Sequence, residues 1–339
     1  MHKNNFDGVR IGLALIVVFS HLYVLTQRQE FLWLGKFFDA RFAVEGFFAI
    51  SGYLVTKSYF SSKSLFEYAE KRFRRIYPAY FTVIMLCLLI GAYTTSLSLP
   101  AFFSATETYK FLLANLSFLN FIQPTLPQAL EGNLHNTLNG SLWTIKVEVM
   151  LYFCVPVIAF LFTRLGSIKV AVLAVLASVL WVYYFQFVVP DGKGIELAKQ
   201  FPGHLSFFVL GSLFAVNKAV LAQVKWIALA STVLLFSIDH PYAKLLIDPV
   251  AYASIVVYLS TSAFRSINFG KYGDVSYGIY LYHFPIIQLL IFKGVFQYSL
   301  WLGLLLTVVL TLLAAWISWH LIEKGMLKRN SHYLVAAKH

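Results

Sequence analysis

LWLGLLLTVVLTLLAAWISWHLI fills residues 300–322 without one Asp, Glu, Lys or Arg. At about 1.5 Å of rise per residue it makes a helix of about 34 Å, enough to cross the roughly 30 Å hydrocarbon core of a bilayer. The same reading extends outward along the chain. Mostly apolar runs occupy residues 11–26, 42–58, 78–95, 141–163, 170–188, 203–217, 225–238, 250–264 and 275–293. With 300–322 they make ten expected spans. An eleventh stretch, 109–122, is interrupted by Asn115, Ser117 and Asn120.

Composition agrees. Hydrophobic residues are 59% of the 339 and charged residues 12%, with 32 Phe and 20 Tyr. Soluble domains carry roughly twice that charged share. A single core stops growing near 250–300 residues, so lipid must solvate much of this surface. Cys87 and Cys154 sit in apolar runs and show neither disulfide nor zinc spacing. No metal is expected. Lys3 followed by the apolar Ile11–Leu25 superficially resembles a signal peptide. Thr26-Gln27-Arg28-Gln29 then follows with no small-residue cleavage pattern, so a retained first helix is expected.

The net charge of +12 would suggest nucleic acid in a soluble protein. In a spanning protein it reports topology, because Lys and Arg gather on the cytoplasmic side. Ten crossings from an inner N-terminus put 18 of the 27 inside: Lys3, Arg10, Lys57, Lys63, Lys71, Arg72, Arg74, Arg75, Arg164, Lys169, Lys218, Lys225, Arg265, Lys271, Lys324, Lys328, Arg329 and Lys338. A crossing at 109–122 would move Arg164, Lys169 and the C-terminal tail outside. The expected fold is therefore all-α, a polytopic transmembrane helical bundle. It has about ten spanning helices plus a re-entrant or interfacial segment, and both termini are cytoplasmic. Residues 1–325 form one membrane domain and 326–339 a short basic cytoplasmic tail.

Five constellations carry polar chemistry into the apolar runs. Arg10 and His21 are eleven residues apart, three turns plus about 20°, so they share a face about 16 Å apart along the axis. That puts Arg10 at the cytoplasmic interface and His21 near mid-membrane, where an ionisable group is costly and marks function. His21 is read as a general base or as an interhelical hydrogen-bonding group. Lys71-Arg72-Phe73-Arg74-Arg75-Ile76-Tyr77-Pro78 packs four cations into five residues. It suits either phosphate forks or an anchor on anionic lipid. In Arg41–Tyr53, Glu45 lies near an outer helix end, Gly46 and Gly52 allow close helix approach, and Ser51 serves packing. Glu148 and Tyr152 are four apart, on one face, and Glu148 calls for a cationic or imidazole partner. In Ser276–Pro285, His283 either walls a cavity or bonds the carbonyl that Pro285 frees. His204, after Pro202-Gly203, carries a weaker signal. No zincin, P-loop, dinucleotide or GxSxG pattern occurs.

Taken in order, these motifs resemble the bacterial acyltransferase-3 family of integral membrane acyltransferases. Phe6-Asp7-Gly8-Val9-Arg10 with His21, Phe47-Phe48-Ala49-Ile50-Ser51-Gly52-Tyr53, and Arg72-Phe73-Arg74-Arg75-Ile76-Tyr77-Pro78 match its first three signatures. Ser141-Leu142-Trp143-Thr144 with Glu148, Tyr282-His283-Phe284-Pro285, and Leu321-Ile322-Glu323-Lys324 complete the series. The chain departs from the family at Glu45, where Asp is usual, and at Gly325, where Pro is usual.

The resemblance implies acetyl-CoA, or another acyl-CoA, as cytoplasmic donor. It implies a glycan or lipid-linked glycan as acceptor, in the bacterial inner (plasma) membrane. His21, Glu148 and Arg10 are then the expected catalytic group. Arg72, Arg74 and Arg75 are expected on the donor phosphates, and Glu45, Trp143, Tyr152 and His283 around the acceptor. Glu148 is expected to orient the imidazole, with Glu45 as a second candidate. Direct transfer and an acyl-enzyme relay both stay open. The alternative from another class is a proton-coupled transporter or flippase, which needs buried His and Glu residues but no arginine cluster.

Overall fold

The computed structural model describes residues 5–189, 192–261 and 273–328. Lys3, Arg265, Lys271, Arg329, Lys338 and most of the 326–339 tail lie outside the described residues. Within them the chain is helical, and the only strand-like pairing is an isolated antiparallel bridge between Thr125 and Thr137.

Among the described residues eleven longer helices follow in order: α1 Phe6–Thr26, α2 Ala40–Phe60, α3 Leu65–Thr94, α4 Thr106–Leu116, α5 Trp143–Leu165, α6 Ser167–Tyr183, α7 Phe201–Val216, α8 Val224–Ser237, α9 Pro241–Thr261, α10 Ser276–Phe292 and α11 Leu300–Ser318. Each of the ten apolar runs falls, in its described part, mainly on one of these helices. Among the described residues, six stretches are both long and apolar enough to cross a membrane: Phe6–Thr26, Leu65–Thr94, Gly140–Leu165, Ser167–Val188, Pro241–Thr261 and Leu300–Met326. α8 and α10 are apolar but shorter. α4 has 11 residues, about 16 Å, roughly half the hydrocarbon thickness.

The chain forms two compact units. The first holds residues 1–9, 41–69 and 147–268. Inside it, α2 and α7 approach at small residues. A Cβ on Gly52 would lie 2.0 Å from the Phe208 carbonyl oxygen, and one on Gly211 would lie 2.0 Å from that of Ala49. Thr56 Oγ1 donates to Ser212 Oγ across the same seam (2.8 Å). In lipid, helix association runs on such close packing and interhelical hydrogen bonds, so Gly52 serves packing as its sequence context suggested.

The second unit holds residues 10–40, 70–146 and 269–339. Its apolar centre includes Leu22 and Leu25 of α1, Phe31 and Leu34, and Phe284, Ile287 and Leu290 of α10. Arg10 meets Asp274, and further along both helices His21 meets His283. α1 and α10 therefore run side by side in the same direction.

Two intramembrane prolines show how each unit satisfies its own backbone. A proline within a helix orphans the carbonyl four residues earlier, and lipid offers no replacement donor. Pro156 frees Tyr152 O, which accepts from Tyr68 Oη (2.9 Å). Pro285 frees Leu281 O, which accepts from Asn139 Nδ2 (2.9 Å). The second case corrects the expectation that His283 bonds the freed carbonyl.

Candidate active site

α1 and α10 bring two imidazoles together. His21 Nδ1 lies 2.8 Å from His283 Nε2, and the rings are stacked with an interplanar angle of 11°. His283 is fully buried, while His21 is partly accessible. His283 Nδ1 faces the Ile279 carbonyl oxygen at 3.2 Å, and a carbonyl can only accept. The proton of neutral His283 is thereby assigned to Nδ1, which leaves Nε2 as an acceptor. His21 must then donate from Nδ1, and its lone pair sits on Nε2. No hydrogen bond is made by His21 Nε2 among the described residues. Phe284 packs edge-on against the His21 ring, 5.4 Å between centroids. A carbonyl, an imidazole and a second imidazole in series form an oriented base, the arrangement that readies a nucleophile's proton for removal.

Below this pair lies a buried ion network. The Asp274 carboxylate receives Arg10, receives Arg75 Nη2 at 2.6 Å, and accepts from Ser276 Oγ at 2.5 Å. Arg75 Nη1 reaches Glu323 Oε2 at 2.6 Å. Glu323 Oε1 accepts from Ser318 Oγ (3.0 Å), which in turn accepts from Tyr282 Oη (3.1 Å). Burial would raise the Asp274 pKa, but the Arg10 and Arg75 guanidiniums outweigh it and hold the carboxyl well below the usual carboxylate range. Arg75 is 5% exposed, and its guanidinium lies over the Tyr277 and Trp319 rings. Both of its Nη atoms are thus engaged by internal carboxylates, where the sequence suggested donor phosphate. Arg74 is more open: Nε bonds Glu70 Oε1 (2.8 Å) and Nη1 bonds Met326 O (3.2 Å), with the side chain 40% exposed. Arg72 is half-buried. Trp143 opens α5, and its neighbour Thr144 pairs with the Tyr280 hydroxyl (2.7 Å), three residues before His283.

The remaining expected residues lie in the first unit. Glu148 Oε1 accepts from Ser51 Oγ (2.6 Å) and Tyr152 Oη (2.5 Å). The pairing of Glu148 with Tyr152 follows the four-residue spacing. Ser51 adds to its packing role a hydrogen bond that the sequence did not foretell. Glu45 is buried, with both carboxylate oxygens 3.0 Å from His204 Nδ1, while His204 Nε2 faces Lys199 O at 3.0 Å. Arg41 Nη2 bonds Asp248 Oδ2 at 2.7 Å.

Sequence reasoning missed Asp274, Asp248 and Gln288 and undervalued His204. Asp274 carried one readable signal: an acid beside Gly273 at the threshold of an apolar run.

A family model for an acyltransferase domain matches residues 3–320. The chain is 27% identical over 343 residues to an "O-acetyl transferase" of Shigella phage Sf6, covering 98% of each chain. It is 29% identical over 352 residues to "Nodulation protein 10" of Rhizobium leguminosarum bv. viciae, covering 96% of this chain and 94% of that one. No solved structure matches the chain. With the model spanning nearly its whole length, the chain belongs to the acyltransferase-3 family.

Proposed function

We propose that this protein moves an acetyl group from cytoplasmic acetyl-CoA to a hydroxyl of a cell-surface glycan, such as an O-antigen, capsule or exopolysaccharide, from the bacterial inner membrane. The observation that carries the reading is the 2.8 Å imidazole pair, which leaves His21 Nε2 as an oriented base. The phage relative's name supports acetyl as the group moved.

The ion network supports the topology. Arg10 near the start of α1, Arg75 early in α3, Asp274 just before α10 and Glu323 after α11 meet in one cluster. These positions lie on the cytoplasmic side if ten helices cross and both termini are inside. The parallel run of α1 and α10 supports the same count, because it requires an odd number of crossings between them. α2, α3 and α5 to α9 supply seven, and a crossing by α4 would reverse α10. Residues 1–325 then act as one membrane domain, with the basic tail in the cytoplasm.

In this reading Arg72 and Arg74 receive the phosphates of CoA. Arg10 and Arg75 do not touch the donor; they tie the inner ends of α1, α3 and α10 through Asp274. The acceptor hydroxyl gives its proton to His21 Nε2 as its oxygen attacks the thioester carbon. The C–S bond breaks, the C–O bond forms, and the proton passes to the leaving thiolate. His283 holds the protonated imidazole through its Nε2 lone pair, the role the sequence reading gave to Glu148. Trp143 lies in the second unit beside Thr144, which bonds Tyr280 of the His283 helix. Glu45, Glu148 and Tyr152 remain the acceptor-side residues of the first unit.

The test is His21→Ala in purified protein, followed by release of free CoA from acetyl-CoA and by glycan acetyl content in cells. General base catalysis contributes about 10²–10⁴-fold, so the rate should fall by at least a hundredfold at unchanged protein abundance. Normal glycan acetylation by the variant would refute the assignment. An absence of CoA release by the wild-type protein would favour a transporter.

A further inference from the structure

The segment joining α4 to α5 folds over itself, pinned by the Thr125–Thr137 bridge, and with Glu107 of α4 borders an open cavity of about 280 Å³. That is just below the roughly 300–1,000 Å³ typical of small-molecule sites. Its polar walls are Glu107, Gln123, Gln128, Glu131 and Asn136. Gln128 is spoken for by Ser96 Oγ (2.6 Å), and Gln123 Nε2 donates to Thr125 O (2.9 Å). The side chains of Glu107, Glu131 and Asn136 are exposed and make no hydrogen bond or ion pair within the described residues. Glu107 lies in the first turn of α4, where an acid also favours the helix dipole. That account does not extend to Glu131 and Asn136.

The cavity wall is held in a conformation that costs energy. Gln128 (φ 49°) and Leu130 (φ 57°) occupy the left-handed region without being glycine. Such strain persists only where surrounding contacts enforce it, and it clusters at ligand sites. Ser96 ties Gln128 through its N–H and its hydroxyl, and α10 holds the stretch that follows. Gln288 Nε2 donates to His135 O (2.6 Å) and Thr137 O (2.8 Å), and Asn133 Nδ2 donates back to Gln288 O and Oε1 (2.9 Å each). Gln288 is five residues beyond His283, about 7.5 Å along the same helix. The loop's far end reaches the catalytic pair itself. A Cβ on Gly140 would fall 2.8 Å from the Phe284 ring, and that ring lies against His21.

A polar cavity whose loop is tied to α10 five residues beyond His283 suits the acceptor. We propose that this cavity binds the carbohydrate acceptor, and that it takes a neutral or amino-bearing sugar and disfavours an acidic one. The assignment rests on the acyl-transfer reading above. Carboxylates and primary amides are the groups that pair with sugar hydroxyls. The two unpaired carboxylates, Glu107 and Glu131, repel a uronate or phosphate-bearing glycan and attract an ammonium, against the +12 balance of the whole chain.

The experiment uses the full-length protein in detergent with labelled acetyl-CoA and two probes, neutral maltotriose and acidic trigalacturonic acid. The wild type should acetylate maltotriose with at least tenfold higher kcat/KM. The double variant Glu107→Lys/Glu131→Lys should reverse that preference. Asn136→Trp, which fills the cavity from an exposed position, should raise the KM for maltotriose at least tenfold more than the KM for acetyl-CoA. Equal use of the two probes, a preference that survives the double lysine change, or parallel rises in both KM values would overturn the assignment. Consumption of acetyl-CoA with acetylation of neither probe would also overturn it. A wild type that consumes no acetyl-CoA would instead overturn the acyl-transfer reading on which it rests.

Discussion

Replacing Asp274 by Asn removes the carboxylate shared by Arg10 and Arg75 while keeping the volume of the side chain. Asp274 is 2% exposed and accepts from both arginines and from Ser276. Two charge-assisted hydrogen bonds at about 1.5–3 kcal/mol each set a loss of about 3–6 kcal/mol. Breaking a buried pair from one side costs about 3–5 kcal/mol in general. At roughly 2–4 °C per kcal/mol for a chain of this order, the thermal midpoint in detergent should fall by about 6–20 °C. The double variant Asp274→Asn/Arg75→Gln should lose less than the sum of the singles, by about 0.5–3 kcal/mol, because the Asp274–Arg75 pair is then removed from both sides at once. The pH dependence has a definite sign. A carboxyl whose pKa is depressed on folding stabilises fully above its unfolded value near 3.9. That contribution is lost as pH falls through the lower folded value. The gap between wild type and variant should therefore be constant from pH 5 to 8 and narrow only below about pH 4. Equal midpoints for the two proteins, or strictly additive losses in the double variant, would refute the shared-carboxylate argument.

Two further expectations concern packing and topology. Gly52→Ala places a methyl carbon 2.0 Å from a backbone oxygen that cannot move aside. It should destabilise by at least about 1–3 kcal/mol, read as a lowered thermal midpoint. Gly12→Ala, with nothing within 4 Å of its added carbon, should be neutral or slightly stabilising. With Cys87 and Cys154 replaced by Ala, Ser167→Cys at the start of α6 should react with a membrane-impermeant maleimide only from the cytoplasmic side. Labelling from outside would overturn the ten-crossing arrangement.

The sequence alone located the helices. An apolar run is a local property, and lipid leaves it little choice but to be helical, so each of the ten runs falls on a helix in its described part, six of which are long and apolar enough to cross a membrane. It also singled out His21, since a lone imidazole amid Leu, Val and Phe is conspicuous without any knowledge of its neighbours. Partners were another matter. His21 meets His283, 262 positions away, and Arg75 meets Glu323, 248 positions away. Charge and hydrogen-bonding capacity can be read from a residue's type, but direction and distance cannot. For that reason Arg75 looked like a phosphate ligand and Glu148 like a partner for imidazole. Each is instead satisfied by groups that the packed helices bring near it, Asp274 and Glu323 for the arginine and Ser51 for the glutamate, which also keeps the Tyr152 hydroxyl its own helix supplies. Burial in a low-dielectric interior obliges every polar group to find a partner, but the tertiary fold alone decides which one.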